Sequence, residues 1–237
     1  MPYSDFRSVQ SERPQPMVFA GGVFLTLLAG AVNVAMLSFY AVPVSHMSGA
    51  VSRLGMGFGT RRFADLGVVG LLIGGFTLGC VLTGALVGSS ALASRRRYAL
   101  VLLCEATVLG LAAALLGGAT HVSVILCAMA CGMQNAMASS YYGLVVRTTH
   151  VTGIITDLGF MLGARLTAGH FVWWKFLLLL LLVSGYLAGG TLSAAAMAIR
   201  PGLVLWGCSA LALAIAGGCL RFHQTASEPS ERDARSV

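Results

Sequence analysis

Ser45-His46-Met47-Ser48-Gly49-Ala50-Val51-Ser52-Arg53-Leu54-Gly55 decides the fold, because the chain returns to it at Thr149-His150-Val151-Thr152-Gly153-Ile154-Ile155-Thr156-Asp157-Leu158-Gly159. Four of the eleven positions are identical and three more exchange Ser for Thr. Each copy follows a long apolar stretch and interrupts a sequence that is otherwise almost all hydrocarbon. Polar, glycine-bearing segments at matching places in two halves are the pattern of broken helices at the centre of a repeat-built membrane protein.

The match extends outward from the motif. Gly30-Ala31-Val32-Asn33 aligns with Gly132-Met133-Gln134-Asn135, which places an Asn thirteen residues before one His and fifteen before the other. On the far side, Gly75 and Gly79 align with Gly185 and Gly189. Small residues four apart let helix backbones meet closely in a bilayer. Gly70 with Gly74, and Gly84 with Gly88, extend that signal.

Composition agrees. The chain is 57% hydrophobic and only 10% charged, against about 25% charged residues in soluble domains. Its net charge of +7 does not point to nucleic acid, since the basic residues are scattered among breaks and line no single helix face. All six cysteines fall inside apolar runs and read as packed thiols. A metal pair at Cys127 and Cys131, four residues apart on one helix, is the alternative.

Six stretches approach or exceed the roughly 20 apolar residues a crossing needs: Met17 to Ala41, Leu66 to Leu92, Tyr98 to Leu116, Val122 to Tyr141, Phe171 to Met197 and Pro201 to Leu220. The first is too long for a signal-peptide core. Residues 1–16 and 221–237 read as disordered cytoplasmic tails around one membrane domain, 17–220, with repeat one at 17–118 and repeat two at 119–220. Three crossings per half turn the second half upside down in the bilayer. With the amino terminus inside, eleven Lys and Arg residues, including Arg95-Arg96-Arg97, fall on the inner side and four on the outer, as the positive-inside tendency requires. The expected fold is an all-α polytopic protein of six transmembrane helices in two inverted three-helix repeats, each with a broken or re-entrant polar segment. Trp173-Trp174-Lys175 fits an interfacial anchor.

Several residues could carry chemistry. At Ser48-Gly49 and Thr152-Gly153 an interrupted helix would leave main-chain groups facing a cavity. Exposed helix starts attract anions and exposed carbonyl ends hold cations; alternatively the hydroxyls only cap short helices. His46 and His150 could bind a ligand, shuttle protons or anchor at the interface. Asn33, Gln134 and Asn135 put amides into apolar helices, where they should bond the broken segments or a solute, or serve only to join helices. Arg53 and Asp157 share one motif position and could pair between halves, or each face water. Glu105, deep in the third span, is a candidate for proton coupling or for an Arg partner, unless it is simply a buried acid. Gly-x-Ser-x-Gly, His-Glu-x-x-His and phosphate-loop patterns do not occur, which leaves an intramembrane hydrolase built on His-x-Ser/Thr-Gly as a minor alternative.

With Gly132-x-Gln134-Asn135-Ala136, Arg147-Thr148-Thr149-His150-Val151-Thr152-Gly153 and Thr156-Asp157-Leu158-Gly159, the chain resembles the YoaK-like family of bacterial multipass membrane proteins, domain of unknown function 1275. The resemblance covers residues 20 to 220. It departs at Ala50, where the family's Met-Thr-Gly-Asn segment has Asn, and at Asn33, where an Asp is frequent. It implies a bacterial inner-membrane location and assigns no activity.

The sequence thus predicts a small secondary transporter or permease with a midplane site between the halves. Asn33, Ser48 and Gly49 would line it from one side and Asn135, Thr152 and Gly153 from the other, with His46, His150 and Gln134 nearby. Access would alternate by rocking one repeat against the other. No cofactor, metal or nucleic acid is expected; the bilayer, an unidentified small solute or ion, and a further copy docked through glycine-rich faces are the expected partners. A non-transporting assembly or sensor protein is the alternative.

Overall fold

In the computed structural model, residues 16–41, 43–61, 66–88, 95–139, 148–168 and 171–226 are described. They form eight α-helices and no strand: α1 (Pro16–Tyr40), α2 (Met47–Gly59), α3 (Leu66–Val87), α4 (Arg95–Leu115), α5 (Thr120–Ser139), α6 (Val151–Ala168), α7 (Trp173–Ile199) and α8 (Val204–Ala226), with a 3₁₀ turn at Pro201–Leu203. Six of the eight are long and apolar enough to cross a membrane. At 1.5 Å per residue, the 22 residues of α3 reach about 33 Å, enough for a hydrocarbon core of about 30 Å. The 13 residues of α2 reach only about 20 Å. Helix α6 is longer but carries Asp157 and Arg165. The two short helices are the two motif copies.

The element ends have local causes. Helix α1 closes on Ala41 in the left-handed conformation (φ 52°), and its amide reaches back to Leu37 O at 2.9 Å. Pro43 two residues later cannot resume the helix. Helix α3 stops at Val87 and not at the expected Leu92, because Gly88 turns left-handed (φ 73°) and Arg97 Nη1 donates to the last carbonyl, Val87 O, at 2.8 Å. Helix α8 runs on to Ala226, beyond the expected boundary at residue 220, since no proline intervenes and each added residue gains a main-chain bond. The tails expected at 1–16 and 221–237 otherwise fall on residues 1–15 and 227–237, outside the described residues.

Packing is heaviest for α1 with α7, α3 with α5 and α4 with α8. The first two seams are built alike. A Cβ at Gly132 would collide with Phe76 O and one at Gly79 with Met129 O, so α3 and α5 meet backbone to backbone. In the other seam a Cβ at Gly30 would collide with Tyr186 O and one at Gly189 with Leu27 O. The glycines aligned in sequence are therefore the glycines at the closest approach. Gly70, Gly74 and Gly84 meet nothing within 4 Å and stand exposed on α3. Around the seams, Leu28, Val32 and Met36 of α1 join Val124, Cys127 and Ala128 of α5 and Leu205 of α8 in one buried core. Hydroxyls tie further helices together: Ser209 Oγ donates to Ala106 O at 2.7 Å and Ser123 Oγ to Ala112 O at 2.9 Å. Phe171, Trp173 and Phe176 cluster at the start of α7, with ring centroids 4.6 to 6.4 Å apart.

Candidate functional site

The two motif segments meet. One cavity of about 450 Å³ is lined by Ser45, His46, Met47 and Ser48 from the first copy, by Thr149, His150, Val151 and Thr152 from the second, and by Asn135, Phe76 and Cys80.

An asparagine sets the entry to each short helix. Ser45 N donates to Asn33 Oδ1 at 3.2 Å and Thr149 N donates to Asn135 Oδ1 at 3.3 Å. An amide that no longer belongs to a helix thereby finds a partner inside an apolar setting. Past this clamp, both helices start in the same way. The first main-chain bonds run from Ala50 N to His46 O and from Ile154 N to His150 O, each at 3.1 Å. Ser52 Oγ and Thr156 Oγ1 then fold back onto Ser48 O and Thr152 O, each at 2.9 Å.

The hydroxyls beside the clamps are used in opposite senses. Ser45 Oγ gives its proton to Asn33 Oδ1 at 2.8 Å, and its lone pairs face Tyr186 Oη at 3.3 Å and His46 Nδ1 at 3.4 Å. Thr149 Oγ1 instead accepts from Asn135 Nδ2 at 2.6 Å and keeps its own proton to give. Ser45 is thus no nucleophile poised on His46, because the proton a base would have to take is committed to Asn33.

The histidines also differ. His46 turns toward Ser45 and leaves Gly49 open, with nothing within 4 Å of a Cβ placed there. Burial holds the His46 imidazole below its ordinary value of 6.5, so near pH 7 it is a neutral group with one donor and one acceptor. His150 lies over the first turn of α6, where a Cβ at Gly153 would collide with Nδ1. A side chain at 153 would have to displace the exposed His150 ring, whereas one at 49 would meet open space.

Of the residues singled out from sequence, His46, Ser48, Asn135, His150 and Thr152 line the cavity. Asn33, only 4% exposed, stands behind Ser45. Gln134 is buried and joins α5 to α1 through Leu25 O at 2.8 Å, with Thr148 Oγ1 donating to its Oε1 at 3.4 Å. Arg53 and Asp157 are exposed and outside the lining. Glu105 is 2% exposed, away from the cavity, and its Oε2 has no hydrogen-bond partner. Cys131 and Cys208 lie within electrostatic reach of it. Among the described residues no group of three or more His, Cys, Asp or Glu is placed to hold a metal.

Phe76, Cys80 and Tyr186 were missed from sequence. The signal was there: Phe76 follows Gly75 and Tyr186 follows Gly185, so extending the glycine alignment by one residue pairs them. Cys80 Sγ donates to Gly132 O at 3.3 Å beside the clamp of the second copy.

No curated protein and no solved structure matches the chain. A family model described as "Protein of unknown function (DUF1275)" matches residues 21–218. That match runs from the first apolar span into the last and takes in both copies of the motif and every residue lining the cavity, so this multi-pass membrane protein belongs to the DUF1275 family.

Proposed function

We propose that this chain is a small-solute secondary transporter or permease of the bacterial inner membrane, with both termini cytoplasmic and its site between two inverted repeats. One observation carries the reading: a single cavity takes four consecutive residues from each motif copy, 45–48 and 149–152. Irregular backbone at membrane depth is tolerated where it lines a cavity, and transporters place their sites at such breaks. Support for the repeat comes from the matched glycine seams and the matched asparagine clamps.

Inverted topology makes a direct prediction. A single cysteine replacing Arg61 labels with an impermeant thiol reagent from the outer face, and one replacing Arg165 labels only after the inner face is opened. Labelling of both from one face ends the inverted reading. The solute site is tested by thermal-shift screening of the purified protein, since a ligand at a hundred times its Kd adds about 2.7 kcal/mol to apparent stability. The double variant His46→Ala, His150→Ala should lose the response.

A second reading, as a non-transporting assembly or sensor protein, is favoured by the exposed glycines Gly70, Gly74 and Gly84 on α3, a surface suited to close helix contact. Under that reading Gly74→Leu disrupts a complex and leaves solute binding intact.

A further inference from the structure

The chemistry of the cavity wall narrows the ligand. We propose that the cavity binds a small oxyanion, a carboxylate or a phosphate group, between the starts of α2 and α6; this rests on reading the cavity as a solute site.

The lining offers donors and no acid. His46, His150, Ser48, Thr149, Thr152 and Asn135 line the space, and no Asp or Glu is among the described lining residues. Thr149 receives a bond from Asn135 and so has its proton free to give. Among the described residues a cation entering here would find no carboxylate: Asp157 is exposed outside the lining and Glu105 is buried elsewhere. The space, about 450 Å³, lies within the range of about 300–1,000 Å³ that small-molecule sites occupy.

Two helix starts add to the same sign. Met47 and Ser48 are the first residues of α2, Val151 and Thr152 the first of α6, and all four line the cavity. Each main-chain ladder begins only at the fourth residue, so the preceding amides have no partner within their own helix. His46, the residue before α2, makes no side-chain cap. Neither first turn carries an acidic residue. Each start carries roughly half a positive charge, and the first two residues of both line one cavity. Half-helix starts are one way membrane proteins hold the anionic groups of their substrates.

The test uses the purified full-length protein in a neutral detergent at constant ionic strength. Sodium phosphate and sodium succinate are compared with choline and putrescine as cationic probes and glycerol as a neutral one. Two quantities are read: the apparent Tm, and the rate at which maleimide labels Cys80, a lining thiol, located by peptide mass spectrometry. Phosphate or succinate is expected to raise Tm and slow Cys80 labelling. The double variant Ser48→Asp, Thr152→Asp is expected to bind them at least tenfold more weakly while folding normally, since an acid suits a helix start. Thr152→Asp alone serves if the double variant does not purify. Undiminished anion binding in these variants overturns the proposal and points to another basic site, such as Arg95-Arg96-Arg97. Protection of Cys80 by choline, putrescine or glycerol and not by the anions also overturns it, yet leaves the solute site standing. Protection by no probe removes both.

Discussion

The two elbows share a sequence motif and an asparagine clamp, and both line the cavity, yet the hydroxyl beside each clamp is used in the opposite sense. In the first, Asn33 and Ser45 are buried, the serine proton is spent on the asparagine, and Tyr186 covers the pair. In the second, Asn135 is buried too, but Thr149 accepts from it and keeps its own proton, and Phe76, the residue aligned with Tyr186, lines the space without a hydroxyl. The two motif copies share one scaffold and leave the clamp hydroxyl's proton available in only one of them. The neighbouring hydroxyls repeat the lesson. Thr83 Oγ1 donates to Met133 O at 3.1 Å, whereas Ser193, four residues past Gly189 as Thr83 is four past Gly79, has a buried Oγ with no hydrogen-bond partner.

The largest test of this comparison lies in the seams. Alanine at Gly132 or Gly79 should cost at the upper end of about 1–3 kcal/mol or prevent folding, and alanine at Gly30 or Gly189 should do the same. Gly84→Ala, in open space, should stabilise the helix by about 0.5–1 kcal/mol. Thermal unfolding followed by circular dichroism reads all five; a harmless Gly30→Ala beside a ruinous Gly132→Ala would show that the seams are not equivalents. Next come the clamps. Asn33→Ala strands a buried amide and hydroxyl and should lose about 1–3 kcal/mol. Asn135→Ala should lose less, because the cavity can admit water to Thr149, and should instead weaken solute protection of Cys80. If Asn33→Ala abolished that protection with stability unchanged, the roles assigned to the two clamps would be reversed.

A smaller contrast has a sign attached. Thr83→Ala should lose about 0.6–1 kcal/mol, and Ser193→Ala should be neutral or stabilising, since it removes a buried hydroxyl that has no partner. The smallest effect is in pH. His46 is held below its ordinary value by burial, so the unfolded chain takes up a proton that the folded chain resists. The His46 contribution is complete above pH 6.5 and falls away as pH drops below it, so His46→Gln should flatten a shallow decline in stability between pH 7 and 5. A decline that steepened with the variant would mean that the imidazole is stabilised in its charged form.

Much of this was legible in the residues. Span lengths, the glycine register and the need for Asn33 and Asn135 to bond the interrupted segments follow from the rule that hydrocarbon leaves no backbone group unpaired. The motif alignment also brought the right segments together. Which elbow keeps a hydroxyl proton to give was not legible, because it turns on whether a serine or a threonine donates to its asparagine, and on one aromatic hydroxyl 141 residues away. The surroundings of Glu105 were hidden for a similar reason. The thiols of Cys131 and Cys208, within electrostatic reach of it, come from α5 and α8, and no spacing within α4 announces them.

The glycine seams bear on how such a protein can move. Each joins a helix of one half to a helix of the other, carbonyl against Cα, with no side chain between them to act as a bearing. A swing that parted the halves along their sequence boundary would have to unzip both. Any movement that keeps both seams intact must therefore carry α1 with α7 and α3 with α5 as pairs, each assembled from both halves of the chain.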